Sequence, residues 1–410
     1  MRLVIAAAVA LGCGPPPAAH APLAIDLATP SGQSDACDAN NVQACLAIAQ
    51  RYHRADGIGD RDDAKAVTLY ARACALKSAE GCAWQGVLLV HGDAGVVRDH
   101  PKAFALLRPA CDQKVPHACA AIALLQYHGT TGLPRDVQGA LAALGRLCET
   151  KDADACAALA GLWFDDETLG DKGKALTFAR AACERDQAFG CFILGLMTYN
   201  GIAITGDYVA GFRILARACD LGEGDACTTY GASLVSGHNV ELDLDHGVRR
   251  LRRGCELASY RACRVLAAVL QTTGARDAAA SYKAARRACD GGDLGGCTVL
   301  GTNYTEAIGV TRDYARANEL FLRACEAGTG ESDGGGCYYL GLSHYKARGV
   351  PQDHARAATL FARACDRGWG EACSILGEQH VHGFGVAVDP VKADELFARA
   401  CKAGFEPACK

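Results

Sequence analysis

Twenty-two of the 23 cysteines fall into eleven pairs, and ten of those pairs have seven residues between partners. They are Cys37 with Cys45, Cys74 with Cys82, Cys111 with Cys119, Cys148 with Cys156, Cys183 with Cys191, Cys219 with Cys227, Cys255 with Cys263, Cys289 with Cys297, Cys365 with Cys373 and Cys401 with Cys409. The eleventh, Cys325 with Cys337, carries four extra residues. Successive pairs recur every 34 to 40 residues, a period that marks a helical solenoid. The repeat fills the chain from about Cys37 onward, so one elongated domain over residues 36–410 is expected rather than several globular ones. The expected fold is all-α: a right-handed α/α solenoid of about ten disulfide-stapled helix-turn-helix repeats. Zinc would require C-x-x-C spacings and haem a C-x-x-C-H, and the chain has neither. No metal and no cofactor is therefore expected. Paired cysteines at this density point instead to disulfides and an oxidising, extracytoplasmic compartment.

One unit shows the logic. Cys337 to Tyr345 reads as a first helix that stops at Gly349-Val350-Pro351, where glycine permits a left-handed cap and proline forbids continuation. A second helix opens after Asp353 and ends at Cys365. An aspartate stands twelve residues before the first cysteine of the pair in all ten full units, from Asp62 and Asp99 to Asp389. There it can cap the second helix. Four residues later comes Ala, Gly or Ser, a side chain small enough for a close helix crossing. Arginine stands two residues before that cysteine in eight units, where a cation suits the negative end of a helix. The first cysteine then ends a second helix and its partner begins the next first helix, so a turn of about five residues brings them within bridging distance.

At the N-terminus, Arg2 precedes an apolar run from Leu3 to Leu11, the pattern of a secretory signal over residues 1–12. Ala10-Leu11-Gly12-Cys13 resembles a bacterial lipobox, which makes the unpaired Cys13 the expected lipidated residue. Residues 13–35 read as a tether. The expected location is an outer-membrane or periplasmic lipoprotein, or otherwise a secreted protein. Net charge is −4 with cations spread along the chain, so no stripe suited to nucleic acid is visible. No apolar run of membrane-spanning length follows the signal, leaving an N-terminal lipid as the expected membrane contact.

The C-x-x-L-G start (Cys191, Leu194, Gly195; Cys337, Leu340, Gly341), the G-x-G-V turn at Gly383 to Val386 and the L-F-x-R-A-C close at Leu396 to Cys401 resemble a Sel-one-like repeat, a relative of the tetratricopeptide repeat. With a cysteine pair in each unit, the chain is similar to the secreted Helicobacter cysteine-rich protein family. Two departures stand out: a short unit from Cys263, and a unit from Cys156 with Asp165-Asp166-Glu167 in place of the G-x-G turn. The four extra residues near Glu331 to Gly334 are expected to bulge from a loop.

Two functional readings follow, the first from the regular repeat, the absence of a unique catalytic cluster and the large surface of such a fold, the second from the resemblance. The first is a non-catalytic scaffold holding a protein or peptide partner, a peptidoglycan-related one included, in a concave groove. Aromatic and imidazole groups recur near the ends of first helices, making Tyr52, His91, Tyr127, Tyr199, Tyr304, Tyr345 and His380 groove candidates. The second is weak β-lactamase or penicillin-binding activity, as described for that family. Ser343-His344-Tyr345-Lys346 is an S-x-x-K, so Ser343 and Lys346 are the catalytic candidates, without accompanying S-D-N or K-T-G elements. The enzymatic reading is the rival one.

Overall fold

The structure is a computed structural model and describes residues 29–57, 59–92, 95–130, 133–272, 277–327 and 334–409. Among them are 21 α-helices. They run α1 (Pro30–Asp38), α2 (Val42–Arg54), α3 (Asp63–Ala75), α4 (Ala79–His91), α5 (His100–Asp112), α6 (Pro116–His128), α7 (Val137–Glu149), α8 (Ala153–Asp165), α9 (Lys172–Cys183), α10 (Ala188–Asn200) and α11 (Tyr208–Asp220). Then follow α12 (Gly224–Ser236), α13 (Leu244–Glu256), α14 (Tyr260–Thr272), α15 (Ala278–Asp290), α16 (Leu294–Glu306), α17 (Tyr314–Ala327), α18 (Gly334–Tyr345), α19 (His354–Asp366), α20 (Gly370–His382) and α21 (Pro390–Lys402). Even numbers from α2 are the first helices of ten hairpins, odd numbers from α3 their second helices. The signal, Cys13 and most of the tether lie outside the described residues, as do 273–276 of the short unit and 328–333 of the inserted loop. Residues 30–35, expected within the tether, instead belong to α1. Thr29 accepts from the Gly32 N–H at 3.2 Å, and Pro30 takes the first helical position, where a missing N–H costs nothing.

Each second helix begins on the aspartate that the repeat places there. Asp62, Asp99, Asp353 and their seven counterparts accept a bond from the backbone N–H three residues on, at 2.8 to 3.0 Å. Each such cap contributes about 1 kcal/mol. The small residue four positions later is buried in every unit. At Gly211 an added Cβ would lie 2.7 Å from the Tyr199 backbone, so the two helices of that hairpin leave no room for a side chain there.

A second close approach sets the packing of each hairpin. The glycine of the C-x-x-L-G start faces a large side chain on the second helix: Gly195 meets Leu215, Gly301 meets Phe321, Gly341 meets Phe361 and Gly377 meets Phe397. An added Cβ would lie 2.3 to 2.9 Å from those side chains. Where the register carries Ala160, the facing residue shrinks to Ala179, and both are fully buried. Hole and knob trade volume in these units, whereas the first unit sets Ala49 in register with the larger Tyr70, both fully buried.

All eleven expected cysteine pairs are bridged. Cys37 bonds to Cys45, Cys74 to Cys82, Cys111 to Cys119, Cys148 to Cys156, Cys183 to Cys191 and Cys219 to Cys227. Further along, Cys255 bonds to Cys263, Cys289 to Cys297, Cys325 to Cys337, Cys365 to Cys373 and Cys401 to Cys409. Their Cα atoms stand 4.4 to 4.8 Å apart. The last bridge departs from the expected pattern in one respect. Cys409 is exposed and follows a short 3-10 turn, Glu406–Ala408, instead of opening a further first helix. Each seven-residue turn needs a left-handed residue three positions after its first cysteine. Gly222, Gly292, Gly368 and Gly404 supply it freely, while Lys77, Lys114 and Lys151 adopt it at φ 64 to 71°.

The recurring arginine does more than sit near a helix end: it reaches back across the stack. Arg72 bonds Asp38 at 2.7 Å, Arg217 bonds Asp186 at 2.6 Å and Arg399 bonds Asp366 at 2.8 Å, each in the preceding unit. Exposed pairs of this kind are individually weak, so they fix the angle between units more than they stabilise them. First helices of successive units pack directly on one another through most of the stack, whereas second helices meet chiefly first helices. The array must therefore curve with its first helices inside.

Candidate functional site: the inner face and the closure of the superhelix

Curvature brings residues about 200 positions apart into contact. The turn after α2 docks on the bridged turn between α13 and α14. Arg61 N–H donates to the Glu256 carbonyl at 2.7 Å, and Arg253 donates to the carbonyls of Ala55 at 2.9 Å and Arg54 at 3.1 Å. Arg287 pairs with Asp60, and Ala55 packs into the apolar cluster that holds Leu215 and Leu257. Arg253 and Arg287 belong to the arginine series but face the first unit, and Arg250 takes over the backward tie by pairing with Asp220. One superhelical turn is thereby closed on itself.

A buried charge node supports the closing turn. Asp63 has no exposed side-chain surface and accepts from Arg61 at 2.6 Å, with His53 Nδ1 at 2.7 Å. Burial alone would raise its pKa, but the bonds from His53 and Arg61 outweigh that and hold it below the usual carboxylate value. Across the contact, Glu223 caps the N-terminus of α12 and feels Arg61. Here burial prevails over the Asp225 N–H and Arg61, and pushes Glu223 up to about 7. A raised folded-state pKa makes the contribution to stability full below the ordinary glutamate range and lost as pH climbs to about 7. Glu223→Gln is thus expected to leave the melting temperature unchanged at about pH 4 and raise it at about pH 8. Equal shifts at both pH values would refute the assignment.

The solvent-facing stripe of the first helices forms the inner face. It consists of residues two before, two after and five after the cysteine, a 4-then-3 spacing that keeps one helical side. Half-buried apolar side chains dominate it: Trp84, Val87, Leu124, Leu196, Val265, Val299, Tyr339 and Leu342. Trp84 stacks on His117 of the next unit at 4.6 Å between centroids. Exposed Glu80, Asp154, Asp225 and Glu371 stand two before the cysteine, along one margin. Sequence reading missed this floor, because the aromatic and imidazole groups drew it to the helix ends. The signal was present in the column two and five residues after the cysteines, which is mostly apolar although it faces water.

The groove candidates occupy the far ends of the first helices. Tyr127 and Tyr304 are buried; Tyr127 Oη donates to Asp166 of the next unit, and Tyr304 Oη lies 3.2 Å from Tyr282 Oη. Tyr199 Oη accepts from Asn239 of the next unit at 2.9 Å. Tyr345 packs on His354 and Phe361, and buried His380 bonds the Ala387 carbonyl at 3.1 Å. Tyr52 lines a hollow of about 460 Å³ with Tyr260 at the closure, and exposed His91 ends α4, its carbonyl held by Arg98. Tyr127 and Tyr199 tie loops of adjacent units together, whereas Tyr345 and His380 are held within their own hairpins. Asp166 also explains the departure in the unit from Cys156. It accepts from the Thr168 side chain and N–H and from Tyr127, which hold it at about 2, and this turn replaces the G-x-G.

Ser343 is buried and donates to the Tyr339 carbonyl at 3.1 Å, one turn back on its own helix, while Lys346 is exposed. The structure does not bring a base to Ser343 Oγ among the described residues. No group of three or more His, Cys, Asp or Glu residues is arranged to hold a metal ion among them either.

A stack of capped α/α hairpins with its first helices inside and an apolar inner floor defines a tetratricopeptide-like repeat scaffold. The model of the Sel1 repeat matches residues 42–78, 79–115, 116–142, 188–223, 296–329, 335–369 and 370–405, more than half of the chain, which therefore belongs to the Sel1 repeat family. No curated protein matches the sequence. Among solved structures, the chain is similar to c5321, a protective antigen of uropathogenic Escherichia coli with an SLR fold. That match has 21% identity over 92% of this chain and 80% of the other, at a TM-score of 0.59. It is also similar to a Sel1 repeat protein from Oxalobacter formigenes, with 19% identity over 60% of this chain and 96% of that one, at a TM-score of 0.54. Helicobacter pylori cysteine rich protein B aligns with 32% of this chain and 96% of its own, at 25% identity and a TM-score of 0.28. The many disulfides suit an extracytoplasmic location.

Proposed function

We propose that this chain is a non-catalytic extracytoplasmic scaffold that holds a protein or peptide partner on the inner face of its superhelix. The observation that carries the reading is the apolar floor of Trp84, Val87, Leu196, Val299 and Leu342, half-buried on the first helices α4, α10, α16 and α18 and margined by Glu80, Asp154, Asp225 and Glu371. Such a surface suits a segment with apolar anchors and flanking cations. Closure of one superhelical turn between Arg253, Arg287 and the turn after α2 supports a preformed groove, which lowers the ordering cost of binding. Cys13 is proposed as the lipidated N-terminal residue, which would hold the scaffold at a membrane surface.

The test is capture from the native envelope by the full chain, with the double substitution Val299→Asp and Leu342→Asp as the groove variant. A partner captured by the wild type and lost by at least roughly tenfold in the variant is expected, as for removal of buried interface anchors. Capture unaffected by the variant would move the partner site elsewhere. In the same preparation, Cys13→Ser should shift the protein from the membrane to the soluble fraction.

A further inference from the structure

The outer face of the solenoid carries a feature that no single stretch of sequence displays. Six residues after the capping aspartate, α11, α13 and α15 present Arg213, Arg249 and Lys283, and the latter two helices add Arg252 and Arg286 three residues further on. All five are exposed. In the other seven units that first position holds no cation. Folding gathers residues 36 and 34 positions apart into one band crossing three neighbouring units, with steps on the order of 10 Å.

The band has acidic edges that are largely engaged already. At the C-terminal ends of these helices Asp220 pairs with Arg250, Glu256 with Arg253 at 3.5 Å and Asp290 with Arg286 at 3.5 Å. At the N-terminal ends stand the caps Asp207, Asp243 and Asp277, bonded to backbone N–H groups, with exposed Asp245 beside them. Among the described residues, no carboxylate lies in ion-pair distance of Arg213, Arg249, Arg252 or Lys283. They concentrate positive charge in a chain whose net charge is −4.

Shape selects the partner. A flat anionic bilayer or a DNA duplex would lie over both acidic edges as well as the cations, and like charges there oppose binding. A single-stranded nucleic acid needs aromatic platforms, and the band contains none. A narrow polymer running along the stack meets the cations and avoids the edges. We propose that this band binds an extended acidic polysaccharide, whose carboxylate or sulfate groups pair with successive rungs, the bidentate arginines most strongly.

The test uses full-length protein and a size-defined heparin oligosaccharide as probe at low salt, with binding read by calorimetry. The triple variant Arg213→Glu, Arg249→Glu and Lys283→Glu should weaken binding by roughly tenfold or more, since charge-assisted contacts are lost at three rungs. A control with Lys102→Glu, Arg356→Glu and Lys392→Glu makes the same charge change elsewhere on exposed positions and should alter affinity by less than about twofold. Unchanged melting of both variants shows that folding is intact. The proposal is overturned if the wild type does not bind the oligosaccharide, or if both variants lose affinity equally. It is also overturned if a DNA duplex or vesicles containing phosphatidylglycerol bind the wild type more tightly. Groove capture is read separately with Val299→Asp and Leu342→Asp, so failure of either site leaves the other measurable.

Discussion

Reduction of the eleven disulfides under otherwise native conditions is expected to unfold this chain, seen as loss of far-ultraviolet helical signal at room temperature. Each bridge joins residues eight apart, or twelve for Cys325–Cys337. Closing a loop of about nine residues stabilises by roughly 2.6 kcal/mol through loop-closure entropy. Eleven such contributions, even if strain and residual structure halved them, are comparable with or exceed the roughly 5–15 kcal/mol by which domains are typically stable. No large interior stands in reserve, because the buried side chains are mostly alanine, cysteine and leucine shared between adjoining hairpins. Every cysteine from Cys183 to Cys373 is also buried, so access for a reductant requires local opening, and the loss should proceed in steps along the stack. The exposed Cys409 makes its bridge to Cys401 the expected first to open. Full helicity and an unchanged melting temperature after verified reduction would refute this account.

Phe361→Ala is the second change with a large expected effect, at about 3–5 kcal/mol of the cooperative unit that contains α18 and α19. Its ring is fully buried and lies where a side chain on Gly341 would have to go, 2.8 Å from an added Cβ. Gly341→Val should be damaging by overpacking, at roughly 1–3 kcal/mol or more, since the buried ring has little room to move. The reciprocal volumes make the pair testable beyond single changes. At Ala123 and Leu144 the same register already holds alanine against leucine, and both are buried. Gly341→Ala combined with Phe361→Leu should therefore cost clearly less than the sum of the two single substitutions, measured by urea denaturation. Simple additivity would mean that the two positions do not share one hole.

Much of the fold was legible because it is local and periodic. The cysteine spacing, the capping aspartates at Asp62 to Asp389 and the small residue four positions on each determine one hairpin, and ten similar hairpins stack in only a few ways. The volume exchange between Gly301 and Phe321 could have been read from the C-x-x-L-G start had the facing helix been aligned with it. What stayed hidden depends on the small rotation from one unit to the next, which no unit encodes alone. Arg253 and Arg287 occupy the same column as Arg72 and Arg399, yet the superhelix aims Arg253 at the Ala55 carbonyl, and Arg287 at Asp60 as well as at the Glu256 carbonyl of the preceding unit. Likewise Tyr127 and Tyr199 had the composition of groove residues, but their hydroxyls are used by Asp166 and Asn239 of the adjoining hairpins. The floor itself is made of ordinary aliphatic residues whose exposure appears only once the curvature is known.

The contact of residues 54–61 with residues 253–287 also orders events in time. A chain made from its N-terminus completes its early hairpins, and their short crosslinks, while the docking half is still absent. The first turn then waits with Ala55 uncovered and Asp60 unmatched until about 200 further residues have arrived. Assembly of this otherwise nearest-neighbour molecule must finish on a late, long-range step, and truncation anywhere before α13 should leave a stack that is oxidised and helical yet open at its beginning.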